Sequence, residues 1–347
     1  MQVQRVSPGR RAPARLAGSV LARDVRIGSA RWAKGRRLST DDLAALAAAD
    51  AGDPFTVLVI EPGELHEDDA ALRLAAAVAG PGLTQRGPTQ SRVDLLAESA
   101  GVLNVRVADL ERLNRIDPLE VFTAFDGQVV EAGDLVASVK VAPHIVDAAR
   151  VDEGARLAGF GSHPLVWVAP FIPSRVGVIV KESVRSTARD RFEASVHAKI
   201  EGLGSRIESI EYVEDDADTV EAAIAGFVRR PDPLELILTA GAASTDPLDA
   251  CFVAITALGG RVVRRGVPAH PGSMLWLARI GGTAILGLPT CGAYSKATAA
   301  DLLLPRLLSG EGPTEKTVAK LGHGGILTRS QRFRFPAYAR ELDAPDG

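Results

Sequence analysis

Residues 234–249 read LELILTAGAASTDPLD, and residues 266–296 read GVPAHPGSMLWLARIGGTAILGLPTCGAYSK. In each stretch an apolar run, Leu236-Ile237-Leu238 or Ala284-Ile285-Leu286, breaks at small residues and hands over to a helix with Ser, Thr or Asp at its mouth. Such a strand-to-helix turn offers unpaired backbone N–H groups and the positive end of a helix dipole, which suits an anionic ligand.

The surrounding sequence continues the rhythm. Arg175-Val176-Gly177-Val178-Ile179-Val180 reads as a buried strand, and Arg191 to Leu203 as a helix closed by Gly204. A strand at 205–212, a helix at 218–229 and a strand at 234–239 follow. Next come a helix at 247–258 closed by Gly259-Gly260, strands at 261–265 and 283–287, and a helix at 296–308. Strands alternating with helices over short links predict an α/β fold, a three-layer, mostly parallel sheet covered by helices on both faces. Ligands then belong at the carboxyl ends of the strands, where both quoted turns fall.

Before this region, residues 17–160 predict a smaller α+β region, with two lobes as one arrangement. Ser39-Thr40-Asp41-Asp42 starts a helix, Gly52-Asp53-Pro54 leads into the strand FTVLVIEPGEL, and DDAALRLAAAVAG is a second helix ended by Gly80-Pro81. Residues 1–16 (RVSPGRRAPAR at their centre) read as a flexible basic arm, or else as an arm that binds a partner or touches phosphate, 174–327 as the α/β domain and 328–347 as a tail.

The chain has 347 residues, 46% hydrophobic and 24% charged, with a formal net charge of −3. These values indicate a packed globular protein and disfavour nucleic-acid binding driven by global charge. Charge is uneven locally: residues 1–37 hold ten Lys or Arg against Asp24 alone, and residues 41–80 hold nine Asp or Glu against Arg73 alone. No run approaches the ~18 apolar residues of a spanning helix, and the N-terminus lacks a secretory apolar centre, so the reading is no membrane and a cytoplasmic location. Cys251 and Cys291 have no metal-ligand spacing and read as free thiols.

Within Thr239 to Asp249, Gly241 lets a ligand approach the backbone, Ser244 offers a hydroxyl, and Asp246 and Asp249 could hold Mg²⁺ against phosphate oxygens. The alternative is structural: Asp246 before Pro247 suits a helix N-cap, with Asp249 in the acidic position of a capping box. In Gly287-Leu288-Pro289-Thr290-Cys291-Gly292-Ala293-Tyr294-Ser295 the link is longer than a connection needs, which suggests a shaped loop. Ser295 caps a helix in one reading, and Lys296 at a helix start is either solvated or placed for an anion. Cys291 has no paired histidine, which favours a packed or ligand-lining role over a nucleophile. His270-Pro271-Gly272-Ser273 forms a third loop on the same side of the sheet, suited to orienting a substrate rather than to holding a metal. Gly322-His323-Gly324-Gly325 reads as a turn, and the acidic run Glu61 to Asp69 as a helix start.

At these residues the chain resembles the molybdopterin-binding family, the MoeA- and MogA-type domain of molybdenum-cofactor biosynthesis, over roughly 174–327. Thr239-Ala240-Gly241-Ala242-Ala243-Ser244 followed by Asp246 and Asp249 is similar to the family's T-x-G-G-x-S-x-x-D turn. Gly287 to Ser295 is similar to its G-L-P-G-N-P-x-S loop, and Pro271-Gly272 to its P-G. Leu21-Ala22-Arg23-Asp24-Val25 and Lys34 to Leu43 extend the likeness to a multi-domain MoeA-like member. Departures are Ala242 for the second glycine, Thr290-Cys291-Gly292 for Gly-Asn-Pro, and Val180-Lys181-Glu182-Ser183 where the family has T-G-[DS]-E, Glu182 standing near its acidic position.

The resemblance implies a ligand, molybdopterin or its adenylylated form, bound by Thr239, Gly241, Ala242, Ser244, the loop His270 to Ser273, Gly287, Pro289, Thr290, Cys291, Gly292, Ser295 and Lys296. It also implies Asp246 and Asp249 as catalytic and Mg²⁺-binding groups, with molybdate or ATP as co-substrates. The implied activity is nucleotidyl transfer to molybdopterin or molybdate insertion. The alternatives are a non-catalytic cofactor carrier that serves a molybdenum enzyme, and a metal-dependent nucleotide hydrolase on the same fold. A homo-oligomer is the expected assembly.

Overall fold

The computed structural model describes residues 1–161, 163–181, 186–241, 244–288 and 297–340. The chain divides into two compact units: Met1–Glu98, Asn104–Asp126 and Ala132–Val168 form the first, and Ser99–Leu103, Gly127–Glu131 and Ala169–Gly347 the second.

In the first unit the segment expected as a flexible basic arm contributes a strand. Gln2–Val6 is a strand pairing antiparallel with Phe55–Val59, which also pairs with Val20–Leu21. Val6, Leu16, Leu21, Trp32, Leu38, Leu46 and Val57 close one buried cluster, so this segment is held by apolar burial as well as by its ladder. Helix Thr40–Ala48 starts at a capping box formed by Ser39 and Asp42. A four-stranded antiparallel sheet runs in the order Leu119–Thr123, Leu135–Val141, Arg92–Ala97, Leu83–Thr89.

The second unit carries the six-stranded sheet. Its strands are β1 (Arg175–Val180), β2 (Arg206–Tyr212), β3 (Leu236–Ala240), β4 (Arg261–Arg265), β5 (Trp276–Ile280) and β6 (Thr283–Leu288). Its helices include α1 (Ser186–Glu201), α2 (Ala217–Val228), α3 (Ala250–Ala257) and α4 (Ala300–Leu308). The spatial order is β2-β1-β3-β6-β5-β4. The first four strands in that order are parallel, β5 runs against them, and β4, antiparallel to β5, runs with them.

Sequence on β1 and β3 explains why they sit centrally. Val176, Val178 and Val180 with Leu236, Leu238 and Ala240 face a cluster that takes in Phe192, Val196 and Ile200 of α1 and Leu303 and Leu308 of α4. Ile179 and Ile237 face the other cluster, with Val220, Ile224 and Phe227 of α2 and Cys251, Phe252 and Ile255 of α3. Side chains alternate between faces along a strand, so a run apolar at every position requires cover on both sides. The three-layer, mostly parallel sheet is the result.

A buried ion pair adds direction to this packing. Lys199 Nζ of α1 donates to Asp301 Oδ1 of α4 at 2.5 Å, and the Tyr338 hydroxyl donates to the same oxygen at 3.1 Å. Asp301 Oδ2 accepts from the Thr298 N–H at 2.8 Å. Burial, and then the charge of Asp301, push the Tyr338 phenol well above its ordinary pKa, which keeps it a neutral donor. This set fixes the entry to α4 against α1.

Two sequence expectations differ from the structure here. The stretch before residue 283 contains β5, a separate strand that turns at Gly281-Gly282 into β6. The helix expected from 247 begins instead at Ala250.

Candidate functional site

The order β2-β1-β3 means that the chain leaves β1 in one direction and returns to its opposite flank. Strand order therefore reverses between β1 and β3, and the crevice at their carboxyl ends is where such sheets bind ligands. Val180 pairs with Ala240 at that end. One residue further, the Lys181 N–H donates to the Ala240 carbonyl at 3.1 Å, and on the other flank the Val213 N–H donates to the Val180 carbonyl at 2.9 Å. The ladder thus extends to Lys181 and fixes where its side chain starts.

The Lys181 side chain is only 4% exposed. Its ammonium donates to Asp215 Oδ1 at 2.6 Å and to Asp249 Oδ2 at 2.9 Å. Burial opposes its charge, but the hydrogen bonds it donates to both carboxylates outweigh that effect and raise its pKa above the ordinary lysine value. The two acids differ sharply, Asp215 being 61% exposed and Asp249 3%.

Asp249 has a second task as the N-cap of α3, where Oδ1 accepts from the Cys251 N–H at 2.9 Å. Asp246 does not cap the helix. Its Oδ1 accepts from the Leu248 N–H at 2.8 Å and makes a local turn before α3. Cys251 lies behind this turn in the core. Burial, and next the neighbouring Asp249 charge, raise its thiol to about 12, against the opposing pull of Lys181. A thiol so placed is a packed side chain rather than a nucleophile.

The other sequence-predicted residues fall as follows. Thr239 is buried on β3, on the face that also holds Trp276. Gly241 follows at φ +92, a conformation that favours glycine. Ser244 Oγ approaches Met274 Sδ at 3.7 Å, which brings the 239–249 turn beside the loop His270 to Ser273. That loop reaches the crevice end of the sheet because β5, which follows it, runs antiparallel. Within it, the exposed His270 is held through its backbone, its N–H donating to the Gly325 carbonyl at 2.7 Å. The Pro271 carbonyl accepts from Ala299 N–H at 2.9 Å, and Gly272, at φ +106, leaves no space for a Cβ beside Ala299. Gly287 pairs with Thr239 and Trp276, and a Cβ there would collide with the Trp276 indole. Ala242, Pro289, Thr290, Cys291, Gly292, Ser295 and Lys296 lie outside the described residues, as does Glu182.

Among the described residues the donor set does not fit Mg²⁺. Asp249 gives one oxygen to an ammonium and the other to a backbone N–H, and Asp246 spends an oxygen on its own turn. Among the described residues no group of three or more His, Cys, Asp or Glu gathers as a metal site. Lys181 and Asp215, the groups that define this end of the crevice, were not singled out as site residues from sequence. The one local signal was a lysine closing an apolar strand.

No curated protein matches the chain. Among solved structures, a molybdenum cofactor biosynthesis protein B is 16% identical, with 44% of this chain and 93% of that one covered at a TM-score of 0.29. A molybdopterin biosynthesis MoeA protein from Pyrococcus horikosii is 15% identical, with 72% of this chain and 81% of that one covered at a TM-score of 0.30. Residues 176–309, which span the sheet and both walls of the crevice, match the family described as "Probable molybdopterin binding domain".

Proposed function

We propose that the second unit binds molybdopterin, or its adenylylated form, at the carboxyl ends of β1 and β3, and that the protein acts in molybdenum-cofactor biosynthesis. The observation that carries this reading is the family match over residues 176–309, which coincides with the switch-point crevice. A buried ammonium at its base and the glycine-bearing turn at Gly241 suit the phosphate end of such a ligand. The loop at His270 to Ser273 and Gly287 would border the pterin.

Between transforming the ligand and carrying it, the geometry favours carrying. Nucleotidyl transfer or molybdate insertion asks Asp249 to serve a metal or the reacting groups, whereas here it is committed to Lys181 and to the cap of α3. Purification from a cofactor-producing host, with the released pterin identified by fluorescence and mass, tests the binding reading. A protein that emerges empty and also ignores added molybdopterin refutes it. Turnover of bound molybdopterin, lost in Asp246→Asn, would refute the carrier assignment.

A further inference from the structure

Three consecutive acids, Glu214, Asp215 and Asp216, link β2 to α2. Asp216 is the N-cap of α2, its Oδ1 accepting from the Thr219 N–H at 2.9 Å. Asp215 has no such duty. Among the described residues its hydrogen-bond partner is the Lys181 ammonium, at 2.6 Å, and it reaches that cation from solvent. The other carboxylate on Lys181, Asp249, is buried and tied into a helix cap.

The two contacts therefore differ in what their loss entails. Releasing Asp249 would strand a buried charge and uncap α3. Releasing Asp215 returns an exposed carboxylate to water. With Asp215 gone, Lys181 keeps Asp249 as its ion-pair partner and turns a free N–H toward the exposed side, where another oxyanion can accept it.

We propose that Asp215 is a placeholder for a ligand oxyanion: the phosphate monoester of the bound molecule takes its position on Lys181 Nζ, and Asp215 swings out to solvent as it enters. The claim rests on the proposed binding of a phosphate-bearing pterin and adds to it the gate at that end of the site. Asp215 competes with the ligand, weakens binding of any single anion, and occupies the outer N–H of Lys181 while the crevice is empty. A dianionic phosphate outcompetes the carboxylate on Lys181 Nζ because it brings more charge to the ammonium.

The test is calorimetric titration of the full chain with inorganic phosphate as probe, at fixed ionic strength. Asp215→Ala removes the competitor and is expected to bind phosphate at least about tenfold tighter than the wild type, since a charge-assisted hydrogen bond contributes on that order. Asp215→Glu, which can restore the contact, is expected to return toward wild-type affinity. Lys181→Gln in the Asp215→Ala background is expected to lose the gain, with circular dichroism confirming that it folds. The proposal is overturned if Asp215→Ala binds phosphate no tighter than the wild type, if Asp215→Glu binds as tightly as Asp215→Ala, or if none of the proteins binds phosphate. Pterin capture from a producing host is scored separately. Captured pterin without the Asp215→Ala gain removes only the placeholder, and the gain without captured pterin removes the pterin reading while leaving an oxyanion site.

Discussion

Removing the Lys181 ammonium gives the sharpest test of how the crevice is held together. Lys181→Met keeps the aliphatic stem and deletes the charge, leaving the Asp249 carboxylate, 3% exposed, without its cation. Breaking a buried pair from one side costs about 3–5 kcal/mol, because the remaining carboxylate stays buried without the ammonium that offset its charge. Asp249→Asn in the same chain removes that stranded charge while keeping an amide oxygen able to cap Cys251, and asparagine caps about as well as aspartate. The double mutant Lys181→Met/Asp249→Asn is thus expected to be about 2 kcal/mol more stable than Lys181→Met alone, a coupling of the sign that a double-mutant cycle isolates. Asp249→Ala should cost about 1 kcal/mol more than Asp249→Asn, the worth of the cap. Urea unfolding followed by Trp276, which is fully buried in the second unit, reads these differences once Trp32 and Trp167 of the first unit are replaced by Phe. A loss below about 1 kcal/mol in Lys181→Met, or a double mutant no more stable than that single one, would refute the claim that Asp249 depends on this cation.

Gly287→Ala is expected to destabilise the second unit by about 1–3 kcal/mol, because the new Cβ would overlap the Trp276 indole; denaturant midpoints compared with Gly282→Ala, where the space is open, check it. Native Cys251 should resist Ellman's reagent at about pH 8 in a Cys291→Ser background and react at once in denaturant, since its thiol stands at about 12; rapid native labelling would contradict its burial. Asp94 of the first unit is opposed by burial, yet hydrogen bonds from Ser138, Arg86 and Arg92 hold its carboxyl below the ordinary 3.8. A depressed folded pKa contributes stability that is present above the unfolded value and lost as pH falls through the folded one, so Asp94→Asn should flatten the acid limb of stability below 3.8. An unchanged acid limb would show that Asp94 carries none of that pH dependence.

The sheet was legible because its signal is local. Each central strand is apolar at successive positions, and each ends at small residues, so the α/β class and the site's end of the sheet follow from runs such as Val176–Val180. Strand β5 was hidden by the same rule: LWLARI-GG-TAILGL reads as one long apolar stretch unless Gly281-Gly282 is taken as a two-residue hairpin turn. The first residues were obscured by composition, since arginine and proline around Gly9 drew attention from the alternating Gln2–Val6 that pairs with Phe55–Val59. At Asp246-Pro247 a capping signal was read three residues early. The cap lies at Asp249, the residue that Lys181 also holds, and Asp246 closes the turn in front of it.

Lys181 and Asp215 illustrate what a linear reading lacks. They stand 34 residues apart, Lys181 and Asp249 stand 68 apart, and only the β2-β1-β3 order brings the three together. That meeting changes the chemistry open to Asp249. A divalent cation would have to evict an ammonium from a buried oxygen and leave it without its inner partner, whereas an anion need displace only a carboxylate that water readily accepts. The lysine at the end of β1 therefore favours an anion over a divalent cation at this end of the crevice. On that reading Lys181 is what makes the site selective for anions, and Asp249 is the residue that makes a buried Lys181 tolerable.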